Sequence, residues 1–565
     1  MIQIPPGAFA RPGTSLEFKT GTWRAERPVH QRRAAPCHSA CPAGEDAQAY
    51  LAKVEMGDMR GAWETVVAAN PLPAITGRVC HHPCESACNR AHYDESITIH
   101  GVERFLGDEA LRQGWSYPVP IPSADAPRMA VVGSGPAGLA AAYHLLRGGC
   151  RVTLIEAMPA AGGTVRTAIP HYRLPPDVLE QELDHMLALP GLDFRLRTQL
   201  GRDVSLEELR ADHEAVFLGP GRRKGREWSA DFAVPGNLRT GLQLLEAWVA
   251  GGTLPEQPRS VAIVGGGNTA VDLARVLRRE GVEQVHLISH QRVPAPGVPA
   301  DDAMRATYRE VSQALEEGVT IHEHRGVRRL ILRGERVVGM ELVHMKKLED
   351  ADGRLRRVAF EGTETVLHVD QVIPAIGQDV DGSGFESLVR RGYMEVEPWW
   401  GTVDGQSGIF SGGDARSDHG TVSEAVGDGR RAAAAMLRYR AGKQLEPGAP
   451  PEPIPYSDLN LSYFETAPAS KEPVLPPEQR LGLEEIEGGL QANAVRHEAH
   501  RCLSCGDCLA CDNCWTLCPD QSVLKTREIA ADGSHYVFDY DFCKGCGICA
   551  RECPSGYIAM HSELS

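Results

Sequence analysis

The chain lacks any run approaching the roughly 20 consecutive apolar residues of a membrane span, and its start, Met1-Ile2-Gln3-Ile4-Pro5-Pro6, has no signal-peptide pattern. Both absences point to the cytoplasm. Basic residues are in deficit: 59 Lys and Arg stand against 75 Asp and Glu, a net charge of −16, which argues against nucleic acid as a partner. Long stretches are also poor in cysteine, since only Cys150 lies between Cys88 and Cys502. That excludes the C-x-x-C or C-x4-C pair of a disulfide reductase, and Cys150, ending a helical stretch, reads as a core thiol. No catalytic nucleophile or base stands out. At 565 residues, with an apolar fraction of 42% and a charged fraction of 24%, the chain is an ordinary soluble sequence too long for one core. Three or four domains are expected.

Cysteine is abundant only at the two ends. Near the carboxy terminus Cys508, Cys511, Cys514 and Cys518-Pro519 read C-x2-C-x2-C-x3-C-P, and Cys543, Cys546, Cys549 and Cys553-Pro554 repeat that spacing. Tandem runs of this kind are the pattern of a bacterial ferredoxin with two [4Fe-4S] clusters, in which the fourth cysteine of each run ligates the other cluster. Cys508, Cys511, Cys514 and Cys553 are then one ligand set, and Cys518, Cys543, Cys546 and Cys549 the other. Zinc needs four ligands and has no use for two interleaved copies of the run.

Near the amino terminus the pieces are Cys37 and Cys41-Pro42, then Cys80, Cys84 and Cys88 in G-R-V-C-H-H-P-C-E-S-A-C. Here the sequence resembles the glutamate synthase small subunit and the amino-terminal part of dihydropyrimidine dehydrogenase. That family carries two [4Fe-4S] clusters in a helical domain, with E-A-x-R-C-x-x-C shortly before the C-x3-C-P. Val29 and Arg32 occupy the positions where that C-x-x-C belongs, so two ligands are missing. The motif reappears as Glu498-Ala499-His500-Arg501-Cys502-Leu503-Ser504-Cys505. One arrangement joins Cys502 and Cys505 to Cys37 and Cys88 around a shared cluster; the other leaves them as spare thiols. The resemblance gives the remaining cluster Cys41, Cys80 and Cys84, with an oxygen ligand supplied by Glu103. Fifteen of the 16 cysteines plus Glu103 then make four sets of four.

Two dinucleotide fingerprints lie between the ends, each after a short apolar strand and before a helical stretch. The first is Gly133-Ser134-Gly135-Pro136-Ala137-Gly138, with Glu156 ending the next strand 23 residues after Gly133. Its glycines serve a tight turn, close approach of a pyrophosphate and helix packing, while the acid takes ribose hydroxyls. The second is Gly265-Gly266-Gly267-Asn268-Thr269-Ala270, whose next strand ends at Ser289-His290-Gln291-Arg292 rather than at an acid. Basic residues there accommodate the 2′-phosphate of NADP, but the family's Tyr-Arg-Arg is reduced to His290 and Arg292. NAD and NADP both stay open.

Two fingerprints imply an α/β two-dinucleotide-binding flavoprotein, with Rossmann-like FAD and NAD(P) domains, an amino-terminal α-helical Fe-S domain and a carboxy-terminal α+β ferredoxin-like domain. The resemblance assigns FAD to the first fingerprint and places Gly163 and Arg173 beside it. It also assigns Asp414, after Gly413, to the flavin ribityl chain, and Thr421 to the start of a helix whose dipole faces the flavin. The expected units are residues 1–126 (helical Fe-S), 127–240 and 370–440 (FAD), 241–369 (NAD(P)), 441–490 (an extended linker rich in proline) and 491–565 (ferredoxin).

The expected route joins NAD(P)H, FAD, the Cys41 cluster, the shared cluster and the ferredoxin pair, with its direction open. No substrate domain is visible. The chain therefore reads as an electron-transfer subunit serving ferredoxin or a larger substrate-oxidising or substrate-reducing subunit, such as a 2-oxoacid, aldehyde or aromatic acyl-CoA oxidoreductase of an anaerobic pathway. The alternative is a glutamate synthase small subunit.

Overall fold

The computed structural model describes residues 19–228, 239–251, 258–334, 336–349, 355–416, 420–446, 448–450, 452–480, 482–530 and 533–563. The Met1–Pro6 start lies outside the described residues. Among them no helix is long and apolar enough to cross a membrane.

The amino-terminal region is helical because its short segments carry their own start signals. Prolines occupy the first turns of Pro36–Ala40, Pro73–Val79 and Pro83–Ser86, where a missing N–H is no loss. Asp46 accepts from the Ala49 N–H at 3.1 Å to open Ala47–Glu55, and Asp58 from Gly61 at 2.8 Å to open Met59–Val67. The helix Ile99–Gln113 packs across Pro73–Val79, and Tyr50, Trp63, Val66 and Val102 fill the core beneath.

Two parallel sheets follow. Arg128–Val132, Arg151–Ile155 and Ala215–Leu218 are almost continuously buried, as strands covered on both faces must be. With Leu192–Arg195 outside Arg151–Ile155 and Ile409–Ser411 outside Ala215–Leu218, they make a five-stranded sheet. The second sheet runs Gln371–Pro374, Ser260–Val264, Gln284–Ile288, Thr320–His322. It interrupts the first, which is completed only when the chain returns at Ile409–Ser411. An antiparallel sheet of Arg325–Arg333, Arg336–Glu349 and Leu355–His368 is inserted before the last strand of the second. This is the α/β two-dinucleotide-binding fold.

The carboxy-terminal unit pairs Val523–Lys525 with Tyr536–Phe538 and carries the short helices Asn513–Thr516 and Ile548–Arg551. Its last strand, Ile558–Ser562, pairs antiparallel with Glu26–His30 from the other end of the chain, Val29 opposite Ala559. The segment holding Val29 in place of a ligand is thus part of the ferredoxin-like unit.

The stretch expected as an extended linker is extended but bonded along its length. The Ile454 N–H donates to the Ala34 carbonyl at 3.0 Å, Arg90 donates to the Glu465 carbonyl at 2.7 Å, and the Ile486 N–H reaches the Tyr172 carbonyl at 3.0 Å. Ile454, Ile486 and Leu490 are buried. Their hydrophobic burial, absent from a free linker, turns the segment into a strap over the helical and flavin units.

Candidate redox centre and nucleotide sites

Cys37, Cys88, Cys502 and Cys505 line one pocket together with Leu51, Ile97, Ile99 and Leu503. Helix Ala492–Arg501 delivers the last two cysteines, held by Arg501, whose guanidinium bonds Glu498 at 2.8 Å and the Glu95 carbonyl at 2.6 Å. The Ser504 N–H points at Cys502 Sγ (3.4 Å) and Asn89 donates to Cys505 Sγ at 3.7 Å. Burial pushes Cys502 up to about 11 and Cys505 up to about 12. Thiolates that costly to hold in apolar surroundings fit a site where iron supplies the compensating charge.

The second amino-terminal set lies beside the first. Cys41, Cys80 and Cys84 feel one another's charge, and Cys41 and Cys80 also that of Glu103, although burial is the largest influence on all three. Glu103, 6% exposed, accepts from Asn70 at 3.0 Å and from the Thr76 hydroxyl. Burial and the neighbouring Glu45 hold its carboxyl well above the usual range. Cys80 Sγ lies 3.4 Å from the Ser423 hydroxyl and accepts from the His82 N–H at 3.4 Å. Ser423 carries no motif signal in the sequence, because its direction toward Cys80 is a tertiary fact.

In the ferredoxin-like unit Cys518, Cys543, Cys546 and Cys549 line a pocket closed by Pro28 and Phe538. Cys508, Cys511 and Cys553 lie within electrostatic reach of Cys514. The two runs share one backbone trace: Ala510 and Asp512 have φ of 51° and 67°, and their counterparts Gly545 and Gly547 have 74° each. Left-handed residues at these two places curl each run into a concave loop, the shape that presents backbone N–H groups to a charged cluster. The structure brings together the two cysteine sets that the run spacing predicts and the two that the resemblance implies.

The first fingerprint is shaped for a dinucleotide. Gly133 has φ 89°, and a Cβ there would meet the Gly219 carbonyl at 2.3 Å; one on Gly138 would strike the Gly133 carbonyl at 1.8 Å. A Cβ on Gly135 would face only Gly163 Cα, at 3.9 Å, leaving room for a pyrophosphate before the helix Pro136–Arg147, where Pro136 and Ala137 form the first turn. Glu156 accepts from the Ser134 N–H at 2.9 Å and the Ser134 hydroxyl at 2.6 Å. The Gly413 N–H is fixed by Asp428 at 2.9 Å, and burial raises the Asp414 carboxyl while Arg222 opposes the rise. Thr421 caps the helix Val422–Arg440.

Arg173, expected beside the flavin, is engaged by two carboxylates of the other nucleotide unit. Its guanidinium bonds both carboxylate oxygens of Asp272, at 2.9 and 2.8 Å, and also Glu310. It ties the two nucleotide units together. The physical reason is charge: two buried carboxylates claim the one guanidinium between them.

At the second fingerprint a Cβ on Gly267 would meet nothing, and Asn268 Oδ1 is buried without a partner in the protein. Thr269 accepts from Gln378 at 3.2 Å. His290 Nε2 is likewise buried and unpartnered. Burial, then the charges of Arg357, Lys347 and Arg305, push His290 down to about 4. The Arg292 backbone is tied to the Asp302 carbonyl at 2.8 Å. These orphaned atoms and the open cradle fit a nucleotide.

Comparison with known proteins follows the same division. Residues 127–429 match the family described as pyridine nucleotide-disulphide oxidoreductase, residues 14–115 match dihydropyrimidine dehydrogenase domain II with its 4Fe-4S cluster, and residues 536–556 match a 4Fe-4S binding domain. The NADP(+)-dependent formate dehydrogenase subunit beta of Moorella thermoacetica is 34% identical over 83% of this chain and 70% of its own length. The NADPH-Fe(3+) oxidoreductase subunit beta of Geobacter sulfurreducens is 32% identical over 87% and 78%. The glutamate synthase [NADPH] small chain of Mycobacterium tuberculosis is 32% identical over 74% and 88%.

Proposed function

Because this chain belongs to the pyridine nucleotide-disulphide oxidoreductase family, we propose that it is an electron-transfer subunit, joining NAD(P)H to a ferredoxin or a partner redox enzyme through FAD and four [4Fe-4S] clusters. The observation that carries this reading is the single pocket formed by Cys37 and Cys88 from one end and Cys502 and Cys505 from the other. That pocket makes the cysteine sets continuous. When bound, FAD converts the hydride of a nicotinamide into single electrons, which are what [4Fe-4S] clusters carry.

The chain's own residues set order and insulation. Ser423, beside the Thr421 cap, touches Cys80, so the Cys41, Cys80, Cys84 and Glu103 set is the one nearest the flavin helix. Leu51, Ile97, Ile99 and Leu503 exclude water from the shared pocket. Arg173, with Asp272 and Glu310, holds the nicotinamide unit against the flavin unit. Despite the family's name, disulfide chemistry is not supported, since Cys150 is the sole cysteine of residues 127–429 and is fully buried. Two of the relatives are named as beta subunits of redox enzymes, which supports a partner polypeptide carrying the substrate chemistry, in the cytoplasm.

The test is anaerobic iron, sulfide and flavin analysis, followed by bleaching of the visible absorbance with NADPH and with NADH. About sixteen iron atoms and one FAD per chain, with rapid bleaching by a nucleotide, are expected. About twelve iron atoms would remove the shared cluster, and no bleaching by either nucleotide would sink the reading.

A further inference from the structure

The strand Gln284–Ile288 ends where a ribose-binding acid stands in NAD-specific units, and here the paired strands Arg336–Glu349 and Leu355–His368 of the antiparallel sheet carry Lys347 and Arg357 within electrostatic reach of His290. Lys347 stands directly opposite Arg357 across this hairpin. Like charges opposed on neighbouring strands repel, so the doublet is a liability unless something negative sits against it. Asp301 offsets part of the charge: Lys347 Nζ donates to its backbone carbonyl and lies 3.4 Å from its carboxylate. The loop bearing Asp301 is stapled to the strand end. The Arg292 N–H donates to the Asp302 carbonyl and the Met304 N–H to the Arg292 carbonyl, both at 2.8 Å, and Gln291 Nε2 reaches the Ala303 carbonyl at 2.5 Å. Lys347 is therefore held, through the Asp301 loop, to the strand end that carries His290, whose buried Nε2 has no partner among the described residues.

We propose that Lys347 and Arg357 form, with His290, a clamp for a phosphate monoester dianion, the 2′-phosphate of NADPH, and so select NADPH over NADH. The inference rests on the reading that the second fingerprint binds NAD(P)H. It locates specificity on the hairpin of a separate sheet rather than in the residues directly after the strand. The ribose of a nucleotide cradled at Gly265–Thr269 lies at the end of the following strand, which is where the doublet is held. Two cations and an imidazole suit a dianion, whereas the free hydroxyl of NADH gives them nothing to neutralise. The 2′-phosphate would neutralise the repulsion between Lys347 and Arg357 that Asp301 leaves uncompensated.

The test uses the full flavin- and iron-loaded chain and calorimetry with two probes, adenosine 2′,5′-bisphosphate and 5′-AMP, which lacks the 2′-phosphate. The Lys347→Ala/Arg357→Ala double variant is expected to lose at least about tenfold in affinity for the bisphosphate, as removal of charge-assisted bonds implies, and to raise KM for NADPH. Lys347→Arg/Arg357→Lys, which keeps both charges, is expected to retain most of that affinity. Arg329→Ala, an exposed cation paired with Glu341 on the same sheet, serves as the control and leaves both affinities in place. Bisphosphate affinity within twofold of the parent in the double alanine variant overturns the clamp. Failure of both NADPH and NADH to reduce the flavin of the parent chain instead overturns the underlying reading, whatever the bisphosphate does.

Discussion

Arg173 sits between Asp272 and Glu310, whose side chains are each 7% exposed. Removing the guanidinium strands two carboxylates in a dry junction, and breaking a buried pair in this way costs about 3–5 kcal/mol. Arg173→Met is therefore expected to lower the urea midpoint while the purified protein still carries FAD; lost flavin with unchanged stability would return Arg173 to the cofactor contacts. Its partners lie 99 and 137 positions away, beyond any local pattern. The cysteines are different, because ligand spacing is a local property: it marked the two ferredoxin runs, and the local motifs shared with the family marked the rest. What spacing left open was whether Cys502 and Cys505 were spare. A Cys502→Ser/Cys505→Ser variant is expected to lose about four iron atoms per chain, and iron content near that of the parent would leave the shared cluster without support.

At the scale of elements, Ile99–Gln113 is held to its neighbours by a buried ion triad. His100 sits 2.7 Å from Glu85 and 2.7 Å from Glu472 of the strap, and its ring stacks on His82 with centroids 3.8 Å apart. Burial pulls the imidazole down, but the two carboxylates outweigh it and lift His100 to about 9, against an ordinary 6.5. A folded-state pKa raised above the unfolded value means the contribution is fully present below pH 6.5 and is lost as pH rises through 9; its size is on the order of 3 kcal/mol. Urea midpoints are expected to fall between pH 6.5 and 9.5, and His100→Gln is expected to flatten that fall. A second element-level consequence follows from the pairing of Glu26–His30 with Ile558–Ser562. A proline cannot donate to a ladder, so Val29→Pro is expected to speed amide exchange across Ile558–Ser562 while leaving the five-stranded sheet protected. The short apolar runs and Gly-rich turns of the parallel strands were readable because each is local. The terminal pairing was not, since neither strand carries a mark of its partner.

Across the whole molecule the two ends of the chain are joined twice, once through the terminal strands and once through the pocket of Cys37, Cys88, Cys502 and Cys505. A chain ending at residue 490 is therefore expected to lose about twelve iron atoms rather than the eight of a separable ferredoxin; a loss of eight, by iron assay of the flavin-loaded fragment, would mean that the amino-terminal clusters are self-sufficient. The sequence by itself determined the chemistry. Cysteine runs and two fingerprints are local spacings, and ligand geometry and nucleotide binding need those spacings whatever surrounds them. Tertiary structure alone decided which thiols meet, that the proline-rich stretch is a bonded strap, that Arg173 is spent on carboxylates, and which cations face His290. Those outcomes depend on burial and on charges brought together from positions hundreds of residues apart, and a one-dimensional pattern carries no record of that proximity.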